Sequence, residues 1–270
     1  MASPSPYYRT KEELEALTKL RDSFGDRFAA PPPRNITVVI VGTEGQGKTH
    51  LTCSIAGDEY GPLYLGDSEH RAQIVVDKFQ EMGRPVQRAT LTTYQETVAF
   101  VSWAKQNVKR PAVIGLDSGT DIDKFAEEQY LIHEDKEVVG KPINHPRMQR
   151  YIFKLLDDLK FSGFTVVMTA KMKDEYVGEN RTGKKLPRIF RDIPYRADLV
   201  IEIQGGKCFI TKSGWTQKQL AEIPQSITTL PDMIAYAKTL DTLPTVVTPN
   251  GTLVVADESK NNGTKKIIGR

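Results

Sequence analysis

Long apolar runs are missing from this sequence, and their absence limits where the protein can work. No stretch approaches the roughly 20 apolar residues that cross a bilayer, and the first residues lack the apolar core of a signal peptide. We therefore expect a cytoplasmic protein with no membrane partner. The composition, 39% hydrophobic and 26% charged over 270 residues, is that of a globular chain long enough to bury a full core.

Cysteine and histidine are scarce as well. The two cysteines, Cys53 and Cys208, both fall within apolar segments, which favours buried, reduced thiols over a disulfide. The four histidines are scattered, so no zinc-ligand spacing is present. The net charge of +3 permits a nucleic-acid partner without requiring one, and the distribution of charge along the chain is more informative.

The phosphate-binding pattern G-x-x-x-x-G-K-[ST] is matched by Gly42, Gly47, Lys48 and Thr49. A β-branched run precedes it and a helix-compatible segment follows, as a P-loop requires. The glycines let main-chain N–H groups surround phosphate, while Lys48 would reach the β- and γ-phosphates of ATP and Thr49 would offer its hydroxyl to Mg²⁺. The predicted nucleotide-binding residues are Gly42, Thr43, Glu44, Gly45, Gln46, Gly47, Lys48, Thr49 and His50.

Two carboxylates follow the next short strand, in the run Gly66-Asp67-Ser68-Glu69-His70. At the carboxyl end of a strand beside the P-loop, either Asp67 or Glu69 could polarise a water toward a γ-phosphate. The same geometry suits a structural role, in which Asp67 or Ser68 caps a helix and Glu69 favours its dipole. The residues alone leave both interpretations open.

A third carboxylate, Asp117, ends the apolar strand that begins near Ala112. In a P-loop protein this is the place of the Walker B residue, which holds Mg²⁺ through water. Thr49 and Asp117 are therefore the predicted metal-binding residues.

The alternation of strands and helices predicts an α/β fold with a mostly parallel, doubly wound sheet and a C-terminal antiparallel hairpin. Ligands of such sheets bind at the carboxyl ends of the strands, where Gly42, Glu69, Asp117 and Lys171 all fall. The predicted helices are 73–82, 94–107, 120–130, 146–159 and 230–240, and the predicted strands after the P-loop are 63–65, 86–91, 112–118, 164–170, 198–203 and 208–211.

The chain divides into three predicted parts. Residues 1–33 form an N-terminal arm and proline-rich linker, residues 34–243 the core, and residues 244–270 a hairpin turned at 249–251 followed by a basic tail. The arm either docks on a neighbouring subunit or packs as a helix on its own domain.

Basic residues concentrate in the segment 171–196, which contains eight of them against four acidic residues. Tyr176, Phe190 and Tyr195 are interleaved, and a mobile loop of this kind suits single-stranded nucleic acid. The alternative is a solvated loop or one that packs on a neighbouring subunit. The predicted nucleic-acid-binding residues are Lys171, Lys173, Arg181, Lys184, Lys185, Arg188 and Arg191.

The order of these features resembles the RecA-like recombinase core. The features are the P-loop, the Asp-Ser-Glu-His run, the strand ending at Asp117, the basic loop and the hairpin ending in Lys212. More narrowly, the chain resembles the compact phage nucleotide-binding proteins of the shortened-RecA, single-strand-annealing type. The resemblance covers about residues 35–215. Its most telling point is Asp67-Ser68-Glu69-His70, which is similar to the Asp-Ala-Glu-His of bacterial RecA and implies that Glu69 is the general base, acting with Lys48.

The resemblance also implies a homo-oligomer, ring or filament, in which Lys212 completes the ATP site of a neighbouring subunit. By the same analogy the loop 131–145 corresponds to the first DNA-binding loop and 171–196 to the second, and a single-strand-binding protein becomes a further partner. The chain departs from full recombinases at Lys171, where they carry Asn-Gln after the strand, and at Gly214, where many carry a second basic residue. The tyrosine that stacks on adenine in bacterial RecA has no clear match.

Together these observations predict a Mg²⁺-dependent ATPase that acts on single-stranded DNA in phage-type recombination or annealing, in the cytoplasm of the host if the chain is phage-encoded. Two rivals stay open. One is a P-loop kinase or other phosphotransferase on a small substrate, with the basic loop as a lid. The other is an ATP-dependent protein-assembly module that does not bind DNA.

Overall fold

The structure is a computed structural model that describes residues 35–57, 59–133, 145–177, 180–189, 192–214, 221–240, 245–247 and 253–255. The predicted N-terminal arm, the segment 134–144, Phe190, Arg191 and the basic tail lie outside the described residues, as does the side chain of Lys184. The same holds for the side chain of Tyr176.

Eleven strands and seven helices are present in the described residues. In chain order they are β1 Thr37–Gly42, α1 Lys48–Cys53, β2 Leu63–Asp67, α2 Gln73–Glu81, β3 Val86–Thr90, α3 Tyr94–Asn107, β4 Val113–Asp117, α4 Gly119–His133, α5 His145–Phe161, β5 Thr165–Val177, β6 Asn180–Pro187, α6 Ile193–Arg196, β7 Leu199–Gln204, β8 Lys207–Ser213, β9 Ala221–Glu222, α7 Leu230–Thr239, β10 Thr245–Val247 and β11 Leu253–Val255. None of the described helices is long and apolar enough to cross a bilayer.

The main sheet has the strand order β3-β2-β4-β5-β1-β7-β8-β9, and β6 pairs with β5 outside this path. All neighbours from β3 to β7 are parallel, whereas β8 and β9 are antiparallel. The predicted α/β fold with a mostly parallel, doubly wound sheet is thereby confirmed. The strands β10 and β11 form a separate antiparallel pair at the position of the predicted C-terminal hairpin.

Strand β1 explains why the sheet carries helices on both faces. Its residues are buried without interruption, as expected of a parallel strand covered on both sides. Val38 and Ile40 pack into one apolar layer with residues of α1, α2 and α7. Val39 and Val41 point the other way, into a layer with residues of α3, α4 and α5. The two apolar layers cover both faces of the sheet, so the ends of its strands are the parts that stay accessible to a ligand.

Local capping fixes the bounds of helix α3. The hydroxyl of Thr93 accepts a hydrogen bond from the Glu96 N–H at 3.2 Å, and the Glu96 carboxylate accepts from the Thr92 N–H at 2.6 Å. These bonds satisfy main-chain donors that a helix start leaves unpaired. The predicted helix 94–107 is therefore found with the same bounds, and Thr93 is the cap.

The prediction of a mobile loop over 171–196 is wrong in conformation. Strand β5 continues to Val177 and pairs antiparallel with β6, so that Met172 faces Pro187 and Lys173 faces Leu186. The hydrogen bonds between β5 and β6 satisfy main-chain groups of residues that lie beyond the core. A run of charged side chains in the sequence does not reveal this pairing. We call the paired segment from Lys171 to Arg188 the basic hairpin, since the Arg188 N–H donates to the Lys171 carbonyl at 2.6 Å. Helix α4 also runs on to His133, so the predicted loop does not begin at 131.

Candidate active site

The loop between β1 and α1 has the backbone that a phosphate cradle needs. Gly45 and Gly47 adopt φ of 78° and 85°, in the left-handed region that favours glycine, and the space beside each is open. Gly42 is needed for a different reason, since a Cβ there would lie 3.0 Å from the carbonyl oxygen of Ile203 on β7. Helix α1 begins at Lys48, so its positive end faces the loop.

Lys48 lies at the centre of this loop. Its ammonium group donates to the carbonyl oxygens of Gly42 at 3.1 Å and Thr43 at 2.8 Å. Burial lowers the pKa of Lys48, and the nearby carboxylates of Glu69 and Asp117 oppose that shift. With two acceptors for three N–H donors among the described residues, the ammonium group retains a donor for an anion. The loop therefore fits a phosphate group.

Thr49 and Asp117, the predicted metal-binding pair, are in direct contact. The Thr49 hydroxyl donates to Asp117 Oδ2 at 2.6 Å, and the Thr169 hydroxyl on β5 donates to Oδ1. Burial raises the pKa of Asp117, and the two hydroxyl donors oppose that shift. Sequence reasoning missed Thr169. In the sequence, Thr169 is marked only by a hydroxyl near the carboxyl end of an apolar strand. In the structure its side chain is fully buried.

The described residues contain no group of three or more His, Cys, Asp or Glu side chains that could hold a metal ion. Thr49 and Asp117 would supply two oxygen ligands to a metal ion. A magnesium ion, which takes six oxygens and keeps several waters, would draw the rest from phosphate and water. This donor set fits a metal that arrives with a nucleotide.

Asp67 organises the turn that carries Glu69. Its buried carboxylate accepts from the N–H groups of Glu69 at 3.1 Å, His70 at 2.9 Å and Ala72 at 3.1 Å. Arg88 Nε on β3 is a fourth donor, at 2.7 Å. These four donors occupy the carboxylate oxygens, so Asp67 holds the turn in place.

Ser68 has a separate structural contact, and it does not cap helix α2. Its N–H donates to the Asp117 carbonyl at 2.6 Å, and its hydroxyl accepts from the Ser118 N–H at 2.9 Å. The N-cap residue of α2 is Ala72, which has no side-chain cap. The two serine contacts tie the end of β2 to the end of β4, and they fix the position of Glu69 relative to Asp117.

The Glu69 carboxylate is mostly buried, with 17% of its side chain exposed, and it faces Lys171. The distance from Lys171 Nζ to Glu69 Oε1 is 3.3 Å, and that to Asp121 Oδ2 is 3.7 Å. The Lys171 N–H also donates to the Thr120 hydroxyl at 2.9 Å. Lys171, predicted to bind nucleic acid, therefore lies inside the active-site region.

Asp121 and Thr120 were missed by sequence reasoning because only the fold brings α4 beside β5. Burial alone would raise the pKa of Asp121, but hydrogen bonds from Lys124 and Ser118 and the charge of Lys171 outweigh burial and lower it. Asp121 therefore stays an anion beside Lys171.

Three other predicted loop residues make contacts at the rim. Glu44 pairs with Arg71 at an exposed position, and the Gln46 side chain accepts from the Gly206 N–H at 3.4 Å. His50 packs edge-on against Phe79, with ring centroids 4.9 Å apart, and burial followed by the charge of Lys78 lowers its pKa. Next to these residues is a cavity of about 380 Å³, lined by Gln46, Gly47, His50, Leu51, Ile203, Gly206, Lys207, Cys208, Ile223, Pro224, Gln225, Ile227, Thr228 and Met233.

Lys212 on β8 is engaged within its own chain. Its ammonium group donates to the carbonyl oxygens of Pro194 at 3.0 Å, Tyr195 and Ala197 at 2.7 Å. These carbonyls belong to the last turn of α6 and the residue that follows it, where a helix leaves acceptors unpaired. Burial lowers the pKa of Lys212. Its predicted role in a neighbouring subunit would require it to leave these three carbonyls.

The basic hairpin presents its predicted cations to solvent. Lys173, Arg181, Lys185 and Arg188 are exposed, and Arg181 pairs with Asp174 at 2.6 Å. A cavity of about 930 Å³ separates the hairpin from α4 and α5, and Lys173, Arg188 and Tyr195 of α6 are in its lining. The lining includes the carboxylates Asp123, Glu127 and Glu175 as well. The hairpin therefore presents exposed cations near the candidate site, with Tyr195 across the same cavity.

The chain matches a family model and resembles 76 solved chains, among them the RadB recombinase and the ATPase EscN. A family model described as AAA domain matches residues 34–238. The crystal structure of the RadB recombinase is 13% identical, covers 77% of this chain and 90% of that chain, and has a TM-score of 0.43. A second structure is the assembled ATPase EscN in complex with its central stalk EscO, from the type III secretion system of enteropathogenic E. coli. It is 15% identical, the match covers 77% of this chain and 52% of the EscN chain, and the TM-score is 0.45. No sequence among curated proteins matches the chain.

Proposed function

We propose, since the chain belongs to the AAA domain family, that it is a Mg²⁺-dependent ATPase whose hydrolysis is linked to single-stranded DNA. One observation carries the proposal. Side chains from the P-loop, β2 and β4 meet at the carboxyl edge of the sheet, where Thr49 contacts Asp117 and the charges of Glu69 and Asp117 act on Lys48.

The P-loop would hold the triphosphate. The N–H groups of residues 43–48 and the remaining donor of Lys48 suit phosphate oxygens, while the cavity of about 380 Å³ beside His50 suits the nucleoside. Thr49 and Asp117 would hold Mg²⁺, which supplies neutralisation of charge on the β- and γ-phosphates when bound. The buried setting of Asp117 strengthens this electrostatic contribution.

Glu69 is the residue best placed to orient a water and accept its proton. Asp67 is excluded from that role by its four donors, and Asp117 is occupied by two hydroxyls. The turn held by Asp67 and Ser68 positions the Glu69 carboxylate, and positioning of this kind accounts for much of the catalysis in phosphoryl transfer. Lys171, 3.3 Å from Glu69, sets the local charge.

Single-stranded DNA is the partner that the basic hairpin suits. Exposed cations would track the phosphate backbone and Tyr195, which is 68% exposed, offers a ring for stacking. Because β5 carries both Lys171 and the hairpin, contact with DNA has a direct route to Glu69. The resemblance to compact phage annealing proteins extends the proposal to recombination or annealing by a homo-oligomer, in which Lys212 acts on a neighbouring site.

The test compares ATP turnover with and without single-stranded DNA at two salt concentrations, with Lys48→Ala as the control for contaminating ATPase. We expect stimulation by DNA that weakens as salt rises, since phosphate contacts are salt-dependent. DNA-independent turnover with transfer to a small acceptor would replace the proposal with the kinase. If DNA neither binds nor stimulates, the protein-assembly module is the better account.

A further inference from the structure

A second charged groove lies between helices α3 and α5, away from the P-loop. Its cavity has a volume of about 550 Å³. Both helices pack on the same face of the sheet, and both begin at its carboxyl edge, because α3 follows β3 and α5 precedes β5 in a parallel arrangement. The first turns of both helices, with Tyr94 and Arg147 of the groove lining, therefore lie near the edge that holds the candidate active site.

Cations dominate the wall that α5 contributes. Arg147, Arg150 and Lys154 line the cavity, against one carboxylate, Asp158, which pairs with Lys105 at 3.4 Å. Residues three and four apart are neighbours on a helix surface, so the three cations form one row about 10 Å long. Arg150 and Lys154 are exposed and make no ion pair or hydrogen bond with any other described residue.

Two tyrosines also line the groove. Tyr94 and Tyr151 are both partly buried and meet in a T-shape with ring centroids 5.4 Å apart. The Tyr94 hydroxyl donates to the Tyr151 carbonyl at 3.0 Å, which fixes the pair. A cationic row beside fixed aromatic rings is the combination that binds single strands, where charge follows the backbone and rings stack on bases.

The groove and the cavity beside the basic hairpin lie on two sides of the first turn of α5. Arg147 lines the groove, and the next residue, Met148, lines the cavity of about 930 Å³ together with Lys173 and Arg188 of the hairpin. A strand that crosses the hairpin cavity meets the row of cations as it passes this turn.

We propose that the α3–α5 groove binds the sugar-phosphate backbone of the single strand engaged by the basic hairpin, and so extends its footprint. The inference rests on the proposed function. Nucleotides of one strand are spaced by about 3.4 Å or more, so a row of about 10 Å matches roughly three phosphates. The groove adds affinity for long strands and little for strands that fill only the hairpin.

The test is the affinity of fluorescent oligothymidylates of increasing length, measured by anisotropy at several salt concentrations. The groove variant is Arg150→Gln with Lys154→Gln. Its matched control is Lys78→Gln with Lys109→Gln, which removes the same charge from exposed positions on α2 and after α3. A hairpin variant, Lys185→Gln with Arg188→Gln, tests the proposed function in parallel.

We expect the groove variant to lower the slope of log affinity against log salt by about 1.4 for long oligonucleotides, from two lost phosphate contacts. Its affinity should also stop rising about two nucleotides earlier than that of the wild type, one for each lost phosphate contact, while the control variant follows the wild type. If the wild type binds and the hairpin variant weakens binding, but the groove variant changes neither slope nor length dependence, the groove inference is wrong and the proposed function stands. If the wild type binds no DNA at all, both fail.

Discussion

Replacing Asp67 by alanine should destabilise the protein and disable its active site together. The carboxylate is fully buried and serves four donors, including Arg88, whose side chain is 17% exposed. Removing one partner of such a pair leaves a poorly solvated charge, which costs about 3–5 kcal/mol. The Glu69 and His70 N–H groups can reach water more easily, so we expect the total to stay within that range.

The assay is urea denaturation followed by tryptophan fluorescence and far-UV circular dichroism. For a chain of this size the urea dependence is about 3 kcal/mol/M, so the midpoint should fall by about 1–1.7 M. Turnover of ATP should fall by about a hundredfold, because displacing Glu69 by roughly 1 Å has an effect of that size. Nucleotide affinity should change little, since the P-loop does not contact Asp67.

Asp174→Ala is the control, because this carboxylate also pairs with an arginine but at the surface. It should cost less than about 1 kcal/mol. Asp67→Ala with Arg88→Leu should recover part of the loss, since the uncompensated charge is gone. A loss below about 1 kcal/mol for Asp67→Ala, or a double variant no better than the single, would refute the electrostatic reasoning.

Three further predictions concern the site itself. Glu69→Gln should lower ATP turnover by about 10²–10⁴ with nucleotide affinity retained, as measured by fluorescent-nucleotide titration; retained turnover would return Glu69 to a structural role. Asp117→Asn should raise the free energy of unfolding at neutral pH. Burial raises the pKa of Asp117, so the wild type loses stability as the pH rises through that pKa, and the advantage of the variant should vanish near pH 3.8, the unfolded value. Equal urea midpoints of variant and wild type at neutral pH would contradict this. Lys212→Met should cost about 1–3 kcal/mol by leaving carbonyls of α6 without a donor. Mixing it with Lys48→Ala should restore some ATPase activity if Lys212 also acts on a neighbouring subunit, and no restoration would confine it to α6.

What the sequence predicted best was encoded locally. The P-loop and the bounds of α3 depend on residues within a few positions of each other, such as Thr93 and Glu96. The roles of Asp67 and Ser68 were open because helix capping and turn formation use the same residue types. Their donors from Arg88 and Ser118 are contacts that only the folded sheet creates.

Long-range pairing accounts for what the sequence could not predict. The extension of β5 depends on β6, and charged residues such as Lys173 and Lys185 give no strand signal. Thr169 and Asp121 enter the site because β4, β5 and α4 are neighbours in space. Lys171 was assigned to DNA from its place in a basic segment, whereas its side chain points back to Glu69.

Strand β5 has a mechanical consequence, because it is one unbroken element from the metal-binding region to the hairpin. Thr169 anchors it on Asp117, Lys171 follows about 7 Å further on, and Asp174 lies about 16 Å from the anchor at 3.3 Å per residue. The pairing of β5 with β1 ends at Lys171, which faces Gly42, and beyond Lys171 the described strand pairs with β6 alone. A partner that tilts the hairpin would therefore bend β5 next to Lys171, and a shift of about 1 Å of the Lys171 side chain relative to Glu69 is enough to alter catalysis. Binding of a partner at the hairpin would then reach Glu69 through β5 itself, without a hinge between domains.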